Sequence, residues 1–157
     1  NNQPIIAPVL GEDGEYRFNN EGATSGDLSI VHNGIITQSD PSTWEDLFGL
    51  GKTYSSNDSE LVYNAFMNGF HPLEEFQESS MAVAYINRLG QVHAFRNGSR
   101  PMWITNTYNG SIATSTSDII TRSGLEHQEH FKSAAGVDYD LTNDSSKTII
   151  SDMEDLQ

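Results

Sequence analysis

Three Asn-Gly dipeptides, Asn33-Gly34, Asn97-Gly98 and Asn109-Gly110, set the grain of this chain. Asn-Gly is a strong turn signal, because both residues accept the backbone conformations that tight reversals demand. Apolar or β-branched runs stand beside these turns: Leu28-Ser29-Ile30-Val31 before the first, Gln91-Val92-His93-Ala94-Phe95 before the second, and Met102-Trp103-Ile104 before the third. Ser111-Ile112-Ala113-Thr114 follows the third. Met81 to Ile86 is a further apolar run, ended by the turn Asn87-Arg88-Leu89-Gly90. Segments this short, cut this often, read as strands joined by turns. Ile5 to Leu10 is another expected strand, and the polar stretch Gly11 to Gly26 reads as a hairpin or exposed loop.

Helical signals are confined mainly to the middle. Pro41-Ser42-Thr43-Trp44-Glu45 reads as a helix start, with Ser42 as N-cap and Glu45 as its capping-box partner. That helix should stop near Gly49 or Gly51. A second begins at Ser56-Asn57-Asp58-Ser59-Glu60, carries Leu61, Val62, Ala65 and Phe66 at helical spacing, and closes at Gly69. A third begins at His71-Pro72, with proline in the first turn. Ser117-Asp118 reads as the cap of a short helix, Ile119 to Ser123, stopped by Gly124. The tail from Glu126 is acidic and polar, with one expected strand at Thr148-Ile149-Ile150. Grouped helices with strands on both sides imply an α+β fold with antiparallel sheets.

The 157 residues suffice for one domain with a real core. A net charge of −14 argues against direct contact with nucleic-acid phosphates, which needs Lys and Arg. It fits a self-repelling soluble protein, a high-salt habitat or a basic partner. No run approaches the ~18 apolar residues of a membrane helix, and the opening NNQPII lacks the features of a signal peptide, which points to an intracellular setting. The opening also lacks Met, so the true N-terminus is expected upstream. With no cysteine, disulfides, thiolate metal sites and a cysteine nucleophile are excluded within these residues. Of the histidines, only His127-x-x-His130 has metal-like spacing, and beside Glu126 and Glu129 it reads first as solvated charge.

The order of six short motifs resembles that of class II glutamine amidotransferase domains. His32-Asn33-Gly34-Ile35-Ile36 is similar to their HNG segment, and Asn57-Asp58-Ser59-Glu60 to their SDSE or TDTE helix start. Gln3-Pro4 resembles the AQP or AHP before HNG, and Met81 to Phe95 a strand hairpin after it. Arg96-Asn97-Gly98-Ser99-Arg100-Pro101-Met102 resembles an RDPxGxRPL turn, where both arginines are expected to be structural. Ala113-Thr114-Ser115-Thr116-Ser117-Asp118-Ile119 resembles an ASE segment, with Thr116 where Glu is usual. Residues 1–124 would form the amidotransferase-like core, and residues 125–157 an acidic extension finishing the same domain.

The resemblance implies an αββα sandwich of two antiparallel sheets, as in N-terminal nucleophile hydrolases. It implies hydrolysis of the glutamine amide by an N-terminal cysteine whose own amine is the base. The Asn33 side chain and the Gly34 N–H would form the oxyanion hole, and Asp58 would bind the substrate α-ammonium. The plain readings stand beside these: Asn33-Gly34 as a tight turn, and Asp58 as a helix N-cap. No cofactor or metal is implied, and oligomerisation stays open. The cysteine and the carboxylate-gripping Arg segment of the family precede the QP motif, at which this chain begins. A missing N-terminal segment or partner chain is therefore expected to complete the sheet, whose edge would otherwise be left open. The alternatives are an inactive amidotransferase-like scaffold and an unrelated α+β binding domain. Asn33-Gly34 and Asp58 should lie within roughly 10 Å, the reach of one extended glutamine.

Overall fold

The computed structural model describes residues 28–98 and 100–151, with the backbone alone of 5–6, 9–10 and 16–17. Three two-residue strands come first, β1 (Ile5–Ile6), β2 (Val9–Leu10) and β3 (Tyr16–Arg17), followed by β4 (Leu28–Ile35). A 3-10 turn (Pro41–Thr43) leads into α1 (Trp44–Phe48), α2 (Ser59–Met67) and α3 (Pro72–Glu75). Then come β5 (Ser80–Asn87), β6 (Val92–Arg96), β7 (Trp103–Thr107) and β8 (Gly110–Thr114). The last elements among the described residues are α4 (Asp118–Ser123), β9 (Glu129–Lys132), β10 (Val137–Asp140) and β11 (Ser145–Thr148).

The strands form two main antiparallel sheets, ordered β1-β4-β5-β6-β10-β11 and β8-β7-β9, while β2 pairs with β3. The fold is thus α+β, as the strand and helix signals imply. Side-chain alternation gives the large sheet two apolar faces. Met81, Val83, Tyr85 and Phe95 pack with Trp44, Leu61, Val62 and Leu73 from the helices. Ala84, Ala94 and Tyr139 point the other way and meet Met102, Ile104, Ala113 and Phe131 of the small sheet and its approach. The large sheet is therefore a middle layer, with helices on one face and the small sheet on the other.

Three expectations need correction. Asp40, not Ser42, caps the first helical segment: its Oδ1 accepts from the Ser42 N–H at 2.9 Å and from the Ser42 hydroxyl at 2.8 Å. Pro41 explains the shift, since proline suits the first helical position and moves the cap back from Ser42. Glu45 consequently lies in the first turn of α1 without closing a capping box. The tail holds three strands, and its last is Ser145–Thr148. Ile149 and Ile150 leave that ladder, and both their N–H groups bond to the Gly136 carbonyl. The cause is polarity: β11 is exposed at every position, β9 is charged at both ends, and β10 carries aspartates at alternate places, so none shows a plain apolar alternation. The Gln3-Pro4 motif and most of the stretch 11–26 lie outside the described residues.

Candidate functional site

His32-Asn33-Gly34 lies within β4, in full register with β5: His32 faces Val83, Asn33 faces Ala82 and Gly34 faces Met81. Alternation sends the His32 side chain into the helix-side core, 2% exposed, and leaves Asn33 on the opposite, accessible face. The His32 Nδ1 lies 2.9 Å from the Ser59 hydroxyl and 3.8 Å from Asp58 Oδ1. Burial holds its pKa down at about 4, against the pull of the Asp58 carboxylate. The ring is therefore neutral at pH 7.

Gly34 is required by sterics. Its φ is +130°, and a Cβ there would stand 2.0 Å from the Ser80 carbonyl oxygen. Opposite it, the Met81 N–H donates to Asn97 Oδ1 at 2.7 Å, and the Met81 carbonyl accepts from the Asn97 N–H at 2.9 Å. Both Met81 groups are thus engaged on the β6 side, so the Gly34–Met81 pair closes no ladder bonds. Gly34→Ala is expected to cost roughly 2–4 kcal/mol, because β4 and β5 must separate to admit the methyl group. Urea denaturation measures this, and a change under ~0.5 kcal/mol, the level of an ordinary surface substitution, would contradict it.

Asp58 begins α2 but makes no cap bond to its own helix. Asn57 does that work, its Oδ1 accepting from the Ser59 N–H at 3.0 Å. Asp58 Oδ2 instead accepts from the Ile36 N–H at 2.8 Å, across 22 positions of sequence. Gly34 N lies at most ~7 Å from Ile36 N, since two extended residues span no more. The carboxylate therefore stands within about 10 Å of the Gly34 nitrogen. Its side chain is 17% exposed. The neighbouring Glu60 is buried and accepts from the Tyr54 N–H, the Ser55 N–H and the Ser55 hydroxyl at 2.8–3.0 Å. It fixes the loop before α2, although burial pushes its carboxyl pKa up despite these bonds.

The Asn33 side chain opens elsewhere, onto a cavity of about 200 Å³ between the two sheets. Ala82, Ala84, Met102 and Ala113 supply its apolar walls, with Thr114 and Ser115 beside them. Asn33 and the Ala113-Thr114-Ser115 segment thus share one cavity, and Asp58 is not among its walls. Thr116 is exposed and donates to Asp118 Oδ1 at 2.6 Å. Arg96 is buried and donates from Nε to the Ser133 carbonyl at 2.7 Å, a structural tie. His127 and His130 are neighbours, their ring centres 5.6 Å apart, with His130 also stacked on Trp103. Among the described residues no group of three or more His, Asp or Glu side chains could hold a metal ion.

Sequence reasoning missed a buried polar cluster around Asp138. Asp138, buried in β10, accepts from the Tyr85 hydroxyl and from His71 Nε2, and its other oxygen meets His93 Nδ1, each at 2.8 Å. His71 Nδ1 accepts from the Leu73 N–H at 3.1 Å, so that ring carries its proton on Nε2. Tyr85 stacks on His93 with centroids 4.9 Å apart and an 11° interplanar angle. Burial alone would raise the Asp138 carboxyl pKa, but the bonds from His71, Tyr85 and His93 outweigh it and hold the value low. The Tyr85 hydroxyl is pushed the opposite way, by burial and by this carboxylate. A cavity of about 330 Å³ adjoins the cluster, bordered by Ser145, Ser146 and Lys147. The available signal was an Asp at an inward strand position, visible only once β10 is recognised as a strand.

No protein-family model matches the chain, and no curated protein matches it significantly. Among the described residues no helix is long and apolar enough to cross a membrane.

Proposed function

We propose that this chain is the scaffold of a class II glutamine amidotransferase domain, which releases ammonia from glutamine when a nucleophile is supplied from polypeptide outside these residues. The observation that carries this reading is the Asp58 Oδ2 bond to the Ile36 N–H, two residues beyond Gly34. It joins two of the six motifs of the resemblance and holds a carboxylate within the reach of one glutamine from Gly34. Asp58 receives the α-ammonium through a charge-assisted bond. The Gly34 N–H stabilises the developing oxyanion, while the Asn33 side chain faces the cavity between the sheets, away from Asp58. Two antiparallel sheets, one covered by helices, are compatible with the αββα sandwich of N-terminal nucleophile hydrolases, which adds a second helix layer.

A second reading, a scaffold without catalysis, is favoured by two features of the sequence. None of the 157 residues is cysteine, and Thr116 stands where the motif has Glu. The two readings part on an ammonia assay. These 157 residues alone should show no catalytic release of ammonia from glutamine, because an oxyanion hole without a nucleophile leaves only residual catalysis. A longer native form with an N-terminal Cys should turn over glutamine and lose this on Cys→Ala. A longer form lacking such a residue should be inert, which selects the scaffold reading. Catalytic turnover by the 157-residue chain would overturn both readings of the site.

A further inference from the structure

We infer that Asn109 is a self-modifying site, the one Asn-Gly position of the three that the fold leaves free to deamidate. All three dipeptides have the required chemistry, since glycine puts no side chain in the way of its own nitrogen. In the reaction the Gly110 backbone nitrogen attacks the Asn109 side-chain carbonyl carbon. A nitrogen–carbon bond forms, the bond from that carbon to the amide nitrogen breaks, and ammonia leaves with the proton from the Gly110 N–H. The resulting five-membered imide adds one water and opens to aspartate or isoaspartate. The balance is Asn plus water to Asp or isoAsp plus ammonia, with no oxidant or other reagent.

The structure separates the three positions. Asn97 is fully buried. Its Oδ1 accepts from the Met81 N–H, and its Nδ2 donates to the Phe76 carbonyl at 3.2 Å and the Ser79 hydroxyl at 3.0 Å. That amide cannot swing onto the next nitrogen without breaking the core. Asn33 has an accessible side chain, but its backbone is held in the β4–β5 ladder, and Gly34 is wedged against the Ser80 carbonyl. The peptide rotation that closes the imide ring would tear the strand from the sheet.

Asn109 is exposed and uncrowded, and although Gly110 pairs with Thr107, that pair is the last rung of the β7–β8 ladder, so rotation there disturbs only the hairpin tip. Asn109 lies at the tip of the β7–β8 hairpin, where Thr107 and Gly110 form the closing pair. Tyr108, Asn109 and Gly110 are all exposed, and nothing lies within 4 Å of a Cβ built on Gly110. The turn is held by Thr107, whose hydroxyl accepts from the Asn109 N–H at 3.1 Å and donates to the Gly110 carbonyl at 2.8 Å. Neither bond engages the Asn109 side-chain amide. The product adds a negative charge to a chain already at −14, and the isoaspartyl form inserts one extra backbone carbon into the tip. The ammonia released is one equivalent per chain, so it is distinguishable from turnover in a glutamine assay.

The test is peptide mapping by mass spectrometry of the folded chain, aged at mildly alkaline pH and sampled over time. Aspartyl and isoaspartyl products should accumulate in the peptide that holds Asn109. Conversion at Asn97 should lag by ~100-fold or more, because it requires opening of a core segment. In denaturant the three positions should converge, and Asn109→Gln should remove the early product. Equal rates at Asn97 or Asn33 in the folded chain would overturn the inference. So would an unchanged Asn109 under conditions where the denatured chain reacts.

Discussion

Asp138→Ala is expected to destabilise the protein by about 3–5 kcal/mol, a large part of the stability of a domain this size. Four elements converge on that carboxylate: β5 through Tyr85, β6 through His93, the start of α3 through His71, and β10 itself. Alanine leaves three donors without an acceptor, and the Tyr85 hydroxyl is buried. An abandoned buried donor costs ~1–3 kcal/mol, more than the bond it once made contributed. Asp138→Asn keeps one acceptor oxygen and should lose about half as much. The carboxyl pKa is held below its unfolded value, so the folded chain binds fewer protons and the contribution is complete above ~pH 4. It is lost as pH falls through the lower, folded value. Urea midpoints of the two variants at pH 7 measure the effect. A loss under ~1 kcal/mol for alanine would mean that water replaces Asp138 without penalty.

His32 should make the protein acid-sensitive in a higher window. In the unfolded chain its imidazole takes a proton near its ordinary pKa of 6.5, whereas the folded chain holds it off until about pH 4. The unfolded state therefore gains protons first, and stability falls as pH drops from 6.5 to about 4. The full difference amounts to ~3 kcal/mol, since each pH unit that separates the folded and unfolded values is worth about 1.36 kcal/mol. The cause is burial, with Asp58 opposing it through partial attraction. Stability as a whole responds to acid through more than one group, so the useful quantity is a difference. Wild type minus His32→Gln should change by about 3 kcal/mol across this window. A difference that stays constant with pH would assign the acid sensitivity to another group.

The turn chemistry was legible except at Asn33-Gly34, which reads as a turn but runs inside β4, paired with Ala82 and Met81 of β5. Asn109-Gly110 closes the β7–β8 hairpin, and Gly49 and Gly124 end α1 and α4 in the left-handed conformation, as their positions after helical runs imply. Pro72 opens α3 at its first position, with the preceding His71 accepting from the Leu73 N–H. These signals are local, so a short window of sequence holds them. Asn97-Gly98 reads as a turn too, but its amide also ties β5 to the α3 end, a contact that no local pattern records.

The illegible part was long-range and polar. β10 hides its strand character because its core-facing residue is Asp138, made tolerable by partners 45 to 67 positions away. β11 is an exposed edge strand with no apolar face to reveal it. At the candidate site, motif order led to Asn33, Gly34 and Asp58 together; the Asp58 carboxylate does reach the end of β4 beside Gly34, but the Asn33 side chain opens onto a cavity that Asp58 does not line. That the Asp58 carboxylate would bond to Ile36 N–H rather than cap α2 depends on which of Asn57 and Asp58 reaches the helix first. Both are good caps, so propensity alone does not choose.

The most direct test of the glutamine reading is a titration of the isotopically labelled chain with L-glutamine, followed by two-dimensional amide NMR. This needs no turnover and detects weak binding. Shifts should concentrate at the Gly34 and Ile36 amides and along residues 57–59, and Asp58→Asn should abolish them. D-glutamine and glutarate, which misplace or lack the α-ammonium, should leave these amides unmoved. Shifts confined to other surfaces, or equal responses with Asp58→Asn, would contradict the assignment of this site to glutamine.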